Sequence, residues 1–393
     1  MMTTRYQRSC LLAGALGLLL FVCACSIPSR PLWWPKPKHS APNAVNVNRN
    51  GTGTAAGAQA GAQPWHPGLR QLGIQVYWTA NAGDSPAVVQ AKARRIIDYV
   101  ISLDANSIAV TFPFYTYGIT SDKVYVSPAT TPSPADVAIF LAAAAKSHVR
   151  VTLRPILNES ALVAQNPIAW RGMINPTSRA AWFRSYRSLL LRYAPVAQSG
   201  HAATYMIGTE LDSLEGDPGW PGLVSAVKSV YKGELLYDEN FDEFAAHDVN
   251  LPLSTFGVDA YPRFNLPDSA SVAELTQAWD GWLGTHTMAV RRRAILSEVG
   301  IDAVAGSYPD PGAWLATTRS RIDLAVQTKW YEAVCKSVAA EDIGGIYWWE
   351  VNFDANPADP GPYESDRLTF LGRPAQAVIR SCFASLSAKQ SGA

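Results

Sequence analysis

From about residue 72 onward the chain alternates short runs of aliphatic, aromatic and β-branched residues with longer stretches whose apolar positions recur every three to four residues. The runs cover 73–78, 107–115, 149–156, 203–210, 234–239, 254–261, 293–299 and 344–349. Several are almost continuously apolar, as parallel strands covered on both faces should be. The stretches 87–103, 136–146, 180–193, 272–291 and 320–340 predict helices. In the first of them Val88, Ala91, Ile96, Val100 and Leu103 fall near one face. Ser85-Pro86 and Ser133-Pro134 suit helix starts, since proline at the first helical position forfeits no intrahelical hydrogen bond. The segment between the fifth and sixth runs has room only for a small helix. Eight strand-and-helix units predict an α/β fold, a (β/α)8 TIM barrel in a single domain over 69–384. An open α/β sheet with a strand or two miscounted fits the same pattern. No Gly-x-Gly-x-x-Gly follows the first run and no phosphate-loop signature occurs, so no nucleotide is implied.

The two ends break the pattern. Arg5 and Arg8 precede an apolar stretch that closes in Val22-Cys23-Ala24-Cys25. A basic start, a short apolar segment and small residues read as a secretory signal over 1–25, shorter than a typical spanning helix. Val-Cys-Ala-Cys resembles a bacterial lipobox, which makes Cys25 the lipidated residue that ties the protein to the bacterial membrane. An ordinary cleaved signal or an uncleaved anchor are the other readings. In each, the folded part is secreted across the cytoplasmic membrane and faces the exterior or the envelope space. Residues 26–68, rich in Pro, Gly, Ala, Asn and Thr, cannot bury enough surface to offset their ordering entropy and read as a disordered tether. Residues 385–393 read as a flexible tail.

Composition narrows the partners. Charged residues are 17% of the chain, the formal net charge is +1, and 13 Trp and 16 Tyr are present. There is no basic stripe of the kind that nucleic acid demands. Beyond the signal only Cys335 and Cys382 remain. The two fall in late helical segments that a barrel would place side by side. An exported compartment permits a disulfide between them, and two separate buried thiols fit equally well.

A barrel of this kind builds its site at the carboxyl ends of its strands. Those ends offer Tyr77 and Trp78, then Tyr115 and Tyr117, then Arg154, Asn158 and Glu159. Glu210 and Asp212 follow, then Asp238, Glu239 and Asn240, then Asp259 and Tyr261, then Glu298, and last Trp348, Trp349 and Glu350. Carboxylates, amides and aromatic faces together suit a carbohydrate, whose hydroxyls need polar partners and whose C–H faces need flat apolar ones. Alternation sends Trp348 and Trp349 to opposite faces, so one of the two should face the barrel axis. Two glutamates, Glu210 and Glu298, close apolar runs on the fourth and seventh strands. Facing carboxylates are what cleavage of a glycosidic bond needs. Asp212, Glu239 and Asp259 have no spacing that requires a metal, and neither metal nor cofactor is expected.

With these residues in view, the sequence resembles the retaining glycoside hydrolases of the (β/α)8 clan with glutamates on strands four and seven. Within that clan it is most similar to glycoside hydrolase family 113, typified by bacterial β-mannanases. The resemblance runs from about residue 73 to 383. It rests on Thr152-Leu153-Arg154-Pro155, Trp170-Arg171-Gly172, Ile207-Gly208-Thr209-Glu210-Leu211, Phe256-Gly257-Val258-Asp259-Ala260-Tyr261, Leu296-Ser297-Glu298-Val299-Gly300 and Gly345-Ile346-Tyr347-Trp348-Trp349. The resemblance implies Glu210 as acid/base, Glu298 as nucleophile and Tyr261 as an aromatic hydroxyl beside the nucleophile. It implies Trp348 or Trp349 as the platform under the reacting sugar, with Asn240 and Arg154 as polar lining. Trp78, Asn158 and Asp259 complete the expected substrate-binding set. Where much of the clan has Asn before the acid/base, this chain has Thr209, so Asn240 becomes the candidate for the sugar's 2-hydroxyl. The implied activity is retaining hydrolysis of a β-linked hexose glycan, β-mannan above others. A glycan-binding surface lipoprotein without catalysis, or a hydrolase or transglycosylase acting on an envelope glycan, are the alternatives.

Overall fold

The structure, a computed structural model, describes residues 64–391 apart from 247–250, 252, 254, 314–320 and 364–366. The signal, Cys25 and nearly all of the tether therefore lie outside the described residues.

Among the described residues eight parallel strands close into a barrel. In chain order they are Gln71–Tyr77, Ser107–Thr116, Arg150–Leu157, Thr204–Thr209, Glu234–Asn240, Gly257–Asp259, Ile295–Val299 and Gly345–Asn352. Each pairs with the next, and the eighth returns to the first, with Leu72 opposite Ile346 and Ile74 opposite Trp348. The second strand runs on above the rim, where Tyr115 and Thr116 pair antiparallel with the two-residue strand Val124–Tyr125.

The bore is polar, and side chains from facing strands hydrogen-bond across it. Thr111 donates to Gln75 Oε1 at 2.6 Å, and Gln75 Nε2 donates to the Ser297 carbonyl at 2.6 Å. Toward the amino ends of the strands Arg150 bridges Thr152, Tyr347 and Glu234. These bonds satisfy both terminal nitrogens of Arg150, while its buried Nε has no hydrogen-bond partner.

The helices start where their caps dictate. Ser85 accepts from the Val88 N–H at the head of Pro86–Ser102, and Ser133 and Asp136 form a reciprocal capping box on Pro134–Lys146. The buried residues of Pro86–Ser102 are Val89, Ala93, Ile96, Ile97, Tyr99 and Val100. Val88 and Ala91, expected on that face, lie on the solvent side. The expected helix over 272–291 is two: Val272–Leu283 ends at Gly284, and Met288–Arg291 starts afresh after Thr287. Between the fifth and sixth strands lies the short helix Phe241–Ala246. The sixth strand is only Gly257–Asp259, shorter than its apolar run. The last helix runs Pro374–Ser391 with Leu386 buried, so residues 385–391 are helical where a flexible tail was expected. Cys382 on that helix is disulfide-bonded to Cys335 on Leu324–Ala340, with their Cα atoms 5.8 Å apart.

Candidate active site

The third strand points Arg154 into the upper bore, where it has no solvent-exposed surface. Its Nε donates to Asp238 Oδ2 at 2.8 Å, and Nη2 donates to Asp259 Oδ2 at 2.8 Å and Oδ1 at 3.1 Å. Its Nη1 stands 2.5 Å from Glu298 Oε1. One guanidinium thus serves carboxylates from the fifth, sixth and seventh strands. Burial pushes the Asp238 and Asp259 carboxyls up, and the Arg154 charge opposes that push. Close approach depends on Gly257, because a Cβ there would overlap Asp238 Oδ1 and Ser297 Oγ.

Glu298 is almost wholly buried, and its Oε2 accepts from the Tyr261 hydroxyl at 2.8 Å. Register slips between Val258 and Asp259 on one side, and between Leu296 and Val299 on the other, bracket this residue. Such irregularities re-aim a side chain at a strand end.

Glu210 follows directly on the fourth strand and sits in the left-handed backbone region, with φ 47°. That conformation is uncommon for a residue with a side chain and persists where neighbours hold it. Here the Glu210 N–H donates to the Asp238 carbonyl at 2.9 Å, and the next N–H, of Leu211, donates to Tyr237 Oη at 2.7 Å. Tyr237 in turn donates to Glu215 at 2.6 Å. The Glu210 carboxyl accepts at Oε2 from Arg171 Nη1 at 2.6 Å. Burial is the largest influence on its proton affinity, opposed by Arg171 and reinforced by Glu298, and pushes its pKa up to about 8.

Arg171 opens the short 3-10 turn Arg171–Met173 after the third strand. Its Nε donates to the Leu157 carbonyl at 3.1 Å and lies 3.3 Å from Glu159 Oε1, which also accepts from the Arg171 N–H at 3.0 Å.

Both glutamates open on one cavity of about 450 Å³ at the carboxyl end of the barrel. Of the expected residues, Asn158, Asn240, Tyr261 and Trp349 line it with them. Asn240 accepts from the Phe241 N–H at 2.8 Å and hydrogen-bonds Asp212, whose carboxyl burial pushes up to about 7. Four expected substrate contacts are elsewhere. Trp78 stacks on Phe353 with ring centroids 4.1 Å apart, one residue past Tyr77, which takes the cavity side. Trp348 stacks on Tyr331 of the helix Leu324–Ala340 at 4.3 Å, leaving Trp349 to the cavity as strand alternation requires. Arg154 and Asp259 lie beneath the cavity with no surface to offer a sugar; they pair with each other, and Arg154 also pairs with Glu298.

Several cavity residues were not among the expected contacts. Tyr77 and Glu159 stood at strand ends and were readable there. Trp170 and Arg171 come from a turn without periodicity, visible only as a short motif. Arg263 and Asp310, 3.1 Å apart, form part of the outer wall. Among the described residues no group of three or more His, Cys, Asp or Glu is placed to hold a metal ion.

With this geometry established, comparison with known proteins is informative. No curated protein sequence matches the chain. A GH113 β-1,4-mannanase, solved as a complex, superposes with a TM-score of 0.67 at 18% identity, covering 81% of this chain and 99% of that one. The GH113 β-mannanase AaManA from Alicyclobacillus acidocaldarius gives 0.64 at 19% identity, covering 81% and 98%. A family 5 mannosidase from Rhizomucor miehei, solved with mannosyl-fructose, gives 0.51 at 9% identity, covering 82% and 94%. At these identities the likeness is one of fold. The profile of Glycoside Hydrolase Family 113 matches residues 77–366, from the end of the first strand past the eighth, and the chain belongs to that family.

Proposed function

We propose that this protein is a retaining glycoside hydrolase that cleaves β-linked mannan-type glycans by double displacement, with Glu298 as nucleophile and Glu210 as acid/base. The observation that carries this reading is the unequal treatment of two carboxyls on one cavity. Glu298 accepts the Tyr261 hydroxyl at one oxygen and is ion-paired with the buried Arg154 guanidinium at the other. Burial pushes Glu210 up to about 8, so at neutral pH it holds a proton to give.

In the first step Glu298 attacks the anomeric carbon while Glu210 protonates the departing glycosidic oxygen. The bond to that oxygen breaks and a glycosyl ester with Glu298 forms. Glu210, now ionised, takes a proton from water, whose oxygen displaces Glu298 and releases the sugar with its original configuration. Trp349 supplies the platform for the sugar face, and Asn240 is the amide nearest in kind to the 2-hydroxyl contact that Thr209 does not make. The mannan assignment is supported by family membership and by the likeness in fold to two GH113 β-mannanases.

A screen of the soluble body against β-mannan, glucomannan, other β-hexosans and envelope glycans tests this, with product configuration followed by NMR. The β-anomer should appear first from a mannan-type substrate, and Glu298→Gln should abolish turnover. Initial release of the α-anomer would sink the mechanism, and sugar affinity without turnover in the wild type would mark a binding protein. In the same proposal residues 1–25 are a lipoprotein signal and Cys25 carries the lipid, a reading supported by Val22-Cys23-Ala24-Cys25. Incorporation of labelled fatty acid into wild type, but not into Cys25→Ala, is the expected result.

A further inference from the structure

We infer that Arg171 and Glu159 form a charge-balanced clamp that commits one oxygen of Glu210, so that the catalytic proton is exchanged only through the other, Oε1. The inference rests on the acid/base reading of Glu210 and assigns what sets its proton affinity and its aim.

A carboxyl this buried, facing a second carboxylate, would by itself stay protonated and make a poor base for the second step. Arg171 Nη1 at 2.6 Å from Oε2 counters this by favouring the anion, and it fixes the plane in which Oε1 must lie. The arginine does not depend on Glu210 for its own neutralisation. Glu159 accepts from its backbone N–H and lies 3.3 Å from its Nε as an ion pair, while the single Nε–H is donated to the Leu157 carbonyl. The buried charge of Arg171 is therefore matched while Glu210 is protonated, and the clamp does not collapse when the proton leaves. Without Glu159, each protonation of Glu210 would strand a buried cation.

The other charged or titratable groups bearing on Glu210 are Glu298 on the seventh strand, Asp212 just after the fourth, and Asp259 and Tyr261 from the sixth. None of them donates to Oε2. Arg171 and Glu159 are thus positioning residues of opposite sign on the same acid, and that opposition gives the test its readout.

The experiment is the pH dependence of kcat/KM on a mannan oligosaccharide for wild type, Arg171→Met, Arg171→Lys and Glu159→Gln, each checked for folding by circular dichroism. The alkaline limb reports loss of the Glu210 proton. Arg171→Met should move it up by roughly one to two pH units, and Arg171→Lys should return it toward wild type. Glu159→Gln should move it down, because Arg171 is then less neutralised. A role confined to loop structure predicts lower activity with the limb unmoved. Limbs unmoved in both variants, or moved in the same direction, overturn the inference, and Glu159→Gln alone decides it should Arg171→Met fail to fold. Glu298→Gln run beside them separates this from the catalytic reading: turnover persisting there would refute the mechanism itself, whatever the limbs do.

Discussion

Arg154 Nη1 lies 2.5 Å from Glu298 Oε1, and the same guanidinium, with no exposed surface, also binds Asp238 and Asp259. The proposed nucleophile is therefore placed by a cation that no substrate can reach. Removing that cation would leave three buried carboxylates facing one another. Arg154→Met should lose about 3–5 kcal/mol of stability. Arg154→Lys keeps the charge but not the three-way fork. It should fold, with a lower melting temperature and kcat reduced roughly ten- to hundredfold. Near-normal kcat in folded Arg154→Lys would show that the orientation of Glu298 does not depend on the fork.

Tyr261 is the simpler case. Its hydroxyl donates to Glu298 Oε2 at 2.8 Å, and the ring lines the cavity. Tyr261→Phe keeps the ring and removes a hydrogen bond to a charged acceptor, a loss of about 1.5–3 kcal/mol. The expected outcome is a melting temperature close to wild type with kcat down roughly ten- to hundredfold. A large fall in melting temperature with unchanged kcat would instead make the hydroxyl structural.

Adjacent tryptophans on the eighth strand should separate cleanly by phenotype. Trp348 is fully buried against Tyr331, so Trp348→Ala should cost about 3–5 kcal/mol in denaturant unfolding. Trp349 faces the cavity, so Trp349→Ala should raise KM for oligosaccharides roughly tenfold or more with a smaller effect on stability. The reverse pairing of phenotypes would mean that the strand presents the other face to the sugar.

The difference between those two residues illustrates what could be read from the chain alone. Apolar runs and caps revealed the barrel, and the glutamates closing two of those runs pointed to the rim on which the cavity opens. Alternation said that one tryptophan faces inward but could not say which, because register slips near strand ends shift the parity. Depth was also illegible. Arg154 and Asn158 belong to the same strand end, yet the first is sealed beneath the cavity and the second lines it. Arg171 was hardest, since a single turn outside every strand and helix stripe carries no period by which to place it. The sixth strand fell short of its apolar run for a related reason. Phe256 and Tyr261 are apolar enough to extend the run, but only Gly257–Asp259 find ladder partners on both sides.

Beside the site, burial and mutual repulsion push Asp212 and Glu215 up to about 7 and Glu239 up to about 8. Ordinary values for such groups in an unfolded chain are about 4. Between those limits the folded protein keeps protons that the unfolded chain has released. Stability should therefore fall as pH rises from about 4.5 to about 8, the opposite of a salt-bridged carboxylate. Glu239 reports this best, being buried and absent from the cavity lining. Glu239→Gln removes the ionisation without changing the shape of the side chain. It should raise stability at pH 8.5 by an amount on the order of 1 kcal/mol, seen as a higher melting temperature, and leave both unchanged at pH 4.5. A gain equal at both pH values would place the effect in packing or hydrogen bonding, and a loss at pH 8.5 would mean that the Glu239 anion is stabilised where it sits.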